Sequence, residues 1–195
     1  MAVEIVYETH SLTTDNEAGI ATGWMPGELS ATGRELARQL GERRQADGLA
    51  VVFSSDLRRA VETAEIGFGD SGIPIVLDPR LRECDYGALN GMPVARLEDE
   101  RPRRVAVRYP GGQSYQEVVA ATTEFLRDLA VGWDGCKVLV IAHSANRWAL
   151  DVLLAGADLD DVVRAPFAWQ PGWNYTLPSN WPGPAAGIGA SPRRP

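Results

Sequence analysis

The chain is short of the side chains that usually announce chemistry. Its 195 residues include one lysine, two cysteines and two histidines. Cys84 and Cys136 make neither a disulfide framework nor a metal-binding spacing, and both are expected to be reduced thiols in a cytoplasmic protein. No apolar run approaches the roughly 18 residues of a membrane span. The N-terminus lacks a basic stretch leading into a long apolar one, so no signal peptide is expected. Acidic residues outnumber basic ones, 26 to 19, for a net charge of −7, which argues against nucleic acid or an anionic membrane as the main partner. A Gly-x-x-x-x-Gly-Lys loop is missing, and with it the signature of a P-loop nucleotide site. The preference for arginine over lysine is the usage expected of GC-rich bacterial coding.

What remains is ordinary globular material, 45% apolar and 23% charged. The length favours one domain, over residues 1–178, followed by a proline- and glycine-rich tail at 179–195. "AVEIVYE", "LAVVFSS", "IPIVLD" and "KVLVIA" read as strands, and "WNYTL" as a last one. Helices are predicted for "LSATGRELARQLGERR", capped near Ser30 with Leu36 and Leu40 on one face, and for "LRRAVETAEIGF", capped by Asp56. A third starts at the capping box Ser114–Glu117 and buries Val118, Thr122, Phe125, Leu126 and Leu129. A fourth, "ANRWALDVLLAG", ends at Gly156. Residues 84–113 read as an irregular excursion. Strand–helix alternation predicts an α/β fold with a mostly parallel sheet, in which ligands bind beyond the carboxyl ends of the strands.

Both histidines, His10 and His143, stand at such strand ends, as does the Ser54–Ser55 turn. A neutral imidazole is a competent nucleophile toward phosphorus. It needs donors around the phosphoryl oxygens and an acid for the leaving alcohol. Candidates at the strand ends are His10, Asn16, Arg58 or Arg59, Glu83 and His143. The two histidines lack metal-site spacing.

The order of these segments resembles the histidine phosphatase superfamily, the phosphoglycerate mutase-like proteins, over roughly residues 3–176. "THSLTTDNEAGIATGWMPGELSATGRELA" is similar to an opening in which Arg-His-Gly precedes Asn, Gly-Trp and Leu-Ser-x-x-Gly. His10, Asn16, Gly23, Trp24, Leu29, Ser30 and Gly33 fall in place without a gap. "VFSSDLRRAVETAE" resembles Ser-Ser-x-Leu-x-Arg-Ala-x-x-Thr-Ala and selects Arg59. "LRECDYGALNG" selects Glu83, "PGGQSYQE" resembles Pro-Gly-Gly-Glu-Ser, and "VLVIAHS" delivers the second histidine. The resemblance implies a three-layer α/β/α sandwich with a short cap over 84–113. It implies His10 as a phosphorylated nucleophile, with Arg59 and His143 holding the phosphoryl oxygens and Asn16 as a further donor. Glu83 would be the general acid and then the base. No metal or other cofactor is implied.

Two departures stand out. Thr9 and Ser11 replace the arginine and glycine of Arg-His-Gly. Another arginine, Arg58 or Arg147, fills the gap; or the pocket takes a different group, or phosphate less tightly; or catalysis is lost and binding kept. Cys84 follows Glu83 where the mutase branch has an arginine for the substrate carboxylate, which, with the short cap, favours hydrolysis over phosphoryl shuttling. The reading is therefore a metal-independent phosphomonoester hydrolase acting on a small phosphorylated metabolite. Its alternatives are a non-catalytic phosphate-ligand binder and a mutase. "RPRRVAVR" offers Arg101, Arg103, Arg104 or Arg108 for a second anionic group, against the plainer reading of a solvated basic face. Trp24, Trp148, Trp169 and Trp173 are stacking candidates, against the plainer reading of core or rim packing for most of them. The sequence does not specify an oligomeric state; a homodimer is one option.

Overall fold

A computed structural model describes residues 1–184. The elements run β1 (Ala2–Thr9), α1 (Thr14–Glu17), β2 (Ile20–Ala21), α2 (Ala31–Arg44), β3 (Val51–Ser54), α3 (Arg58–Phe68) and β4 (Ile75–Leu77). They continue with β5 (Met92–Pro93), α4 (Val94–Glu100), α5 (Tyr115–Gly132), β6 (Lys137–Ala142), α6 (Ser144–Ala155), α7 (Leu159–Arg164) and β7 (Trp173–Pro178). The main sheet has the order β4-β3-β6-β1-β7. Four strands are parallel, and β7 pairs antiparallel with β1 at one edge.

Alternation along β1 assigns the layers. Val3, Ile5 and Tyr7 enter a core with Phe125, Leu126 and Leu129 of α5 and Leu150 and Leu153 of α6. Val6 faces the opposite core, with Leu40 of α2 and Ala60, Ala64 and Phe68 of α3. The fold is thus the expected three-layer sandwich with a mostly parallel sheet. Phe53 of β3 is buried edge-to-face on Phe125, with centroids 5.3 Å apart, and a side chain of this size contributes about 1.5–3 kcal/mol by burial.

The Ser30 cap, the Ser114–Glu117 capping box and the Gly156 stop all form. Two details differ. Asp56 does not cap α3, which starts after Leu57 without a side-chain cap; its carboxylate instead takes two hydrogen bonds from Arg82, at 2.7 and 2.6 Å. Leu36 is 39% exposed and does not share the buried face of Leu40. That face is Gly33, Ala37, Leu40 and Gly41, because α2 packs backbone against backbone. A Cβ on Gly33 would lie 1.8 Å from the Leu12 carbonyl, and one on Gly41 would lie 2.1 Å from that of Gly67.

The segment read as irregular is organised. Cys84, Tyr86, Met92, Leu97, Val105 and Tyr109 form a third apolar cluster with Tyr115, Val118, Trp148 and Val163. β5, within that segment, pairs with β2. These apolar residues keep neither helical nor strand spacing, so periodicity could not reveal them. After β7, Trp181 packs against the main core; residues 185–195 of the expected tail lie outside the described residues. No helix among the described residues is long and apolar enough to cross a membrane.

Candidate active site

Three adjacent parallel strands deliver the site. Ser54 of β3 lies opposite Ile141 of β6, and Thr9 of β1 opposite Ala142. The next residues are therefore neighbours: Ser55, His143 and His10. Backbone pairing carries past the strand ends, His10 N–H donating to Ala142 at 2.9 Å and Ser55 N–H to Ile141 at 3.0 Å. The imidazole centroids are 5.0 Å apart. Arg59, on the first turn of α3 and 2% exposed, reaches between them. Its Nε donates to His10 Nε2 at 3.2 Å, and one Nη lies 3.3 Å from His143 Nδ1. The guanidinium also donates to the carbonyls of Gly23, at 2.8 Å, and Met25, at 3.1 Å.

These contacts fix the tautomers. A guanidinium only donates, so His10 Nε2 and His143 Nδ1 accept. The Ser11 carbonyl only accepts, so His10 Nδ1, 2.8 Å away, carries the proton. His143 donates through Nε2 to Ser55 Oγ at 2.9 Å. Both rings are neutral. Burial, reinforced by the Arg59 charge, pushes His10 down to about 3 and holds His143 well below the ordinary histidine value.

Glu83 is buried, and its carboxyl accepts the Cys84 N–H at 2.7 Å. Burial raises its pKa above the usual carboxylate value, against the opposing pull of that N–H, Arg59 and Arg101. The Trp24 indole N–H donates to the Glu83 backbone carbonyl at 2.6 Å. The Arg82 guanidinium lies 4.7 Å over the Trp24 ring. Trp24 thus braces the Glu83 backbone from behind and does not line the cavity.

A cavity of about 600 Å³ opens here, lined by Thr9, His10, Ser11, Asn16, Arg59 and Glu83 among others. Asn16 uses its carbonyl oxygen to accept the Thr13 N–H at 3.1 Å, which leaves its NH₂ for the cavity mouth. His143 is 1% exposed and sits beneath the floor, with both nitrogens engaged; it supports Arg59 from below instead of facing the cavity. Two arginines considered for the place opposite Thr9 stay away. Arg58 points outward and pairs with Glu28 at 2.7 Å. Arg147 pairs with Asp151 at 2.9 Å and lies on the Phe167 and Trp173 rings. The arginines that do line the cavity are Arg43, Arg59 and Arg101, and Arg43 is held at 3.1 Å by the buried Glu8. Trp148 and Trp169 also line it, while Trp173 packs on the core.

Sequence reasoning missed two supports, Thr63 and Tyr7, and placed Ser55 at the strand ends without giving it a role. Thr63 Oγ accepts the Ser11 N–H at 3.0 Å and donates to the Arg59 carbonyl at 2.7 Å. The Ser55 hydroxyl sets the His143 tautomer, and the Tyr7 hydroxyl donates to the His143 carbonyl. Thr63 was legible as the residue one helical turn beyond Arg59 on its buried face.

A profile of the histidine phosphatase superfamily, branch 1, matches residues 9–170, and the chain belongs to that family. It is 34% identical over 149 residues to the probable phosphoglycerate mutase GpmB of an Enterobacter species, covering 72% of this chain and 69% of that protein. Among solved structures it is similar to Bacillus stearothermophilus YhfR, with 27% identity, a TM-score of 0.76 and 87% and 88% of the two chains covered. It is also similar to a mycobacterial glucosyl-3-phosphoglycerate phosphatase solved with VO₃, with 26% identity, a TM-score of 0.73 and coverages of 84% and 87%.

Proposed function

We propose that the protein is a metal-independent phosphomonoester hydrolase working through phosphohistidine. One observation carries the reading: His10 presents an unprotonated Nε2 to a cavity floor where, among the described residues, its only direct partner is the Arg59 guanidinium. The Nε2 lone pair attacks phosphorus while the bond to the leaving oxygen breaks, and that oxygen takes the Glu83 proton. Arg59 turns its N–H groups to the phosphoryl oxygens, with the Asn16 amide as a further donor. The Nδ1–H stays on the Ser11 carbonyl and steadies the phosphorylated ring. Glu83, now a carboxylate, takes a proton from water as the water oxygen attacks phosphorus and the N–P bond breaks. His143 positions Arg59 throughout. The raised pKa of Glu83 suits the acid role.

Hydrolysis of p-nitrophenyl phosphate in the presence of a chelator, together with acid-labile, alkali-stable phosphate on His10, tests the reading. No phosphate release from any of a panel of monoesters would overturn it. Thr9 favours a second reading, a phosphate-ligand binder without turnover, which expects thermal stabilisation by ligand and no product. Mutase chemistry is disfavoured by Cys84, whose side chain is buried in the cap cluster and offers no cation to a carboxylate.

A further inference from the structure

Glu83 stands on backbone that belongs to no helix or strand. His10 and His143 are aimed by strand ends and Arg59 by a helix turn. An acid on irregular chain needs another support to stay within the narrow geometry of proton transfer. The two peptide carbonyls flanking the Glu83 Cα are each held by a side-chain donor. The Arg82 carbonyl accepts the Asn146 side-chain N–H at 3.2 Å, and the Glu83 carbonyl accepts the Trp24 indole N–H at 2.6 Å. Asn146 is fully buried on the first turn of α6, and its Oδ1 accepts the His143 backbone N–H at 3.3 Å. One amide therefore ties the chain before Glu83 to the end of β6. Trp24 is itself fixed twice. Its backbone N–H donates to Asn90 Oδ1 at 3.3 Å, and its ring meets the Arg82 guanidinium, which Asp56 grips just past the end of β3. Neither Trp24 nor Asn146 lines the cavity, so neither meets a substrate.

The peptide between Glu83 and Cys84 carries this hold to the carboxyl. In a trans peptide the C=O and the N–H point opposite ways in one plane. Trp24 holds the C=O on one side. On the other side the Cys84 N–H donates to the Glu83 carboxyl at 2.7 Å. Fixing the carbonyl therefore fixes the amide that orients the carboxyl. We infer that Trp24 and Asn146 are positioning residues for Glu83, which clamp the two peptides flanking it and, through the Cys84 N–H, aim its carboxyl. The inference rests on the acid role of Glu83 in the proposed function and adds what holds that acid in place. The clamp matters most where the leaving oxygen needs a proton. An alkoxide leaves only when protonated, whereas p-nitrophenolate leaves unaided.

Trp24→Phe tests this on the full chain, because it removes the N–H and keeps a ring for Arg82. The readout is kcat/KM, which covers the steps through departure of the leaving group, for propyl phosphate against p-nitrophenyl phosphate. Trp24→Phe is expected to lower the value for propyl phosphate about 30-fold and that for p-nitrophenyl phosphate about threefold. Asn146→Ala, which removes the other tie, is expected to move the ratio of the two esters the same way by about tenfold. A merely structural role lowers both esters alike. An unchanged ratio in Trp24→Phe overturns the inference, and an unchanged ratio in folded Asn146→Ala removes Asn146 from the clamp. A second readout needs no turnover. In ¹⁵N-labelled wild-type protein the Cys84 amide shift is expected to follow the titration of the Glu83 carboxyl, and Trp24→Phe to lose at least about half of that pH-dependent change. Identical titrations in the two proteins overturn the inference. A protein that releases no phosphate from any ester but loses the Cys84 titration in Trp24→Phe refutes the hydrolase and leaves the clamp standing; one that hydrolyses both esters with equal losses in Trp24→Phe does the reverse.

Discussion

The two halves of the cavity are built on opposite terms. On the sheet side, each ring nitrogen of His10 and His143 has a partner, and Arg59 is held by four acceptors. On the cap side, Arg101 and Trp148 are buried with donors left open. A side chain already satisfied by protein is held in one place, which suits groups that must meet a reacting atom. In the proposed reaction, the nucleophile and its arginine belong to the sheet side.

The comparison is broken most severely at the proposed nucleophile. His10→Ala is expected to lower kcat on the order of 10⁴-fold or more and to abolish alkali-stable labelling, in rapid-quench assays with radiolabelled ester. Arg59→Ala comes next. It leaves two carbonyls and two imidazole nitrogens without their donor, and a kcat loss of about 10²–10³-fold is expected, with a destabilisation of about 3–5 kcal/mol measurable in urea. Were its effect no larger than that of Arg101→Gln on p-nitrophenyl phosphate, the contrast between the two halves would fail.

Thr9→Arg sharpens the contrast from the other direction. Neither Arg58 nor Arg147 faces the place opposite Thr9, so the new guanidinium would add to Arg59 at the phosphoryl group. One added charge-assisted bond, worth about 1.5–3 kcal/mol, should tighten inhibition by inorganic phosphate by about tenfold or more. Unchanged or weaker inhibition would mean that the pocket is built around threonine. The smallest effect is on stability. The unfolded chain takes up protons near pH 6.5 that the folded histidines refuse, so their stabilising share is full above pH 6.5. It is lost as pH falls toward about 3, the His10 value, at up to about 1.4 kcal/mol per pH unit for each histidine. Glu83, raised in the fold, offsets part of this as pH falls toward 4.5. Chemical denaturation at pH 7 and pH 5 should show the loss, and His143→Gln should shrink it.

How far the sequence could be read follows the same division. β1, β3 and β6 announce themselves as buried runs, and parallel pairing then brings their ends together, so the meeting of His10 and His143 was legible from position, while their roles needed the family pattern. Arg59 over Arg58 needed the family pattern, because both sit on the same first turn and only packing turns one inward. Arg147 and Trp24 misled for one reason: their spacing from the histidines is right, but ring stacking and an ion pair hold Arg147 aside, and a backbone carbonyl holds Trp24. The cap was hardest. Its apolar residues are brought together by tertiary contact without local periodicity, so neither its cluster nor the isolation of Arg101 within "RPRR" leaves a pattern along the chain.

Cys84 has a further consequence. Its amide donates to the acid, while its side chain is wholly buried in the cap cluster, with the thiol 3.9 Å from the Gln113 carbonyl. The two tasks are inherited separately, since every residue except proline carries the amide. Position 84 can therefore drift among side chains that fit the cap, repacking the cluster behind the cavity wall, while the Glu83 carboxyl one residue away, the proposed proton donor, keeps its place. A collection of variants at this position is a direct way to ask how a lineage changes its diet without rebuilding its catalyst.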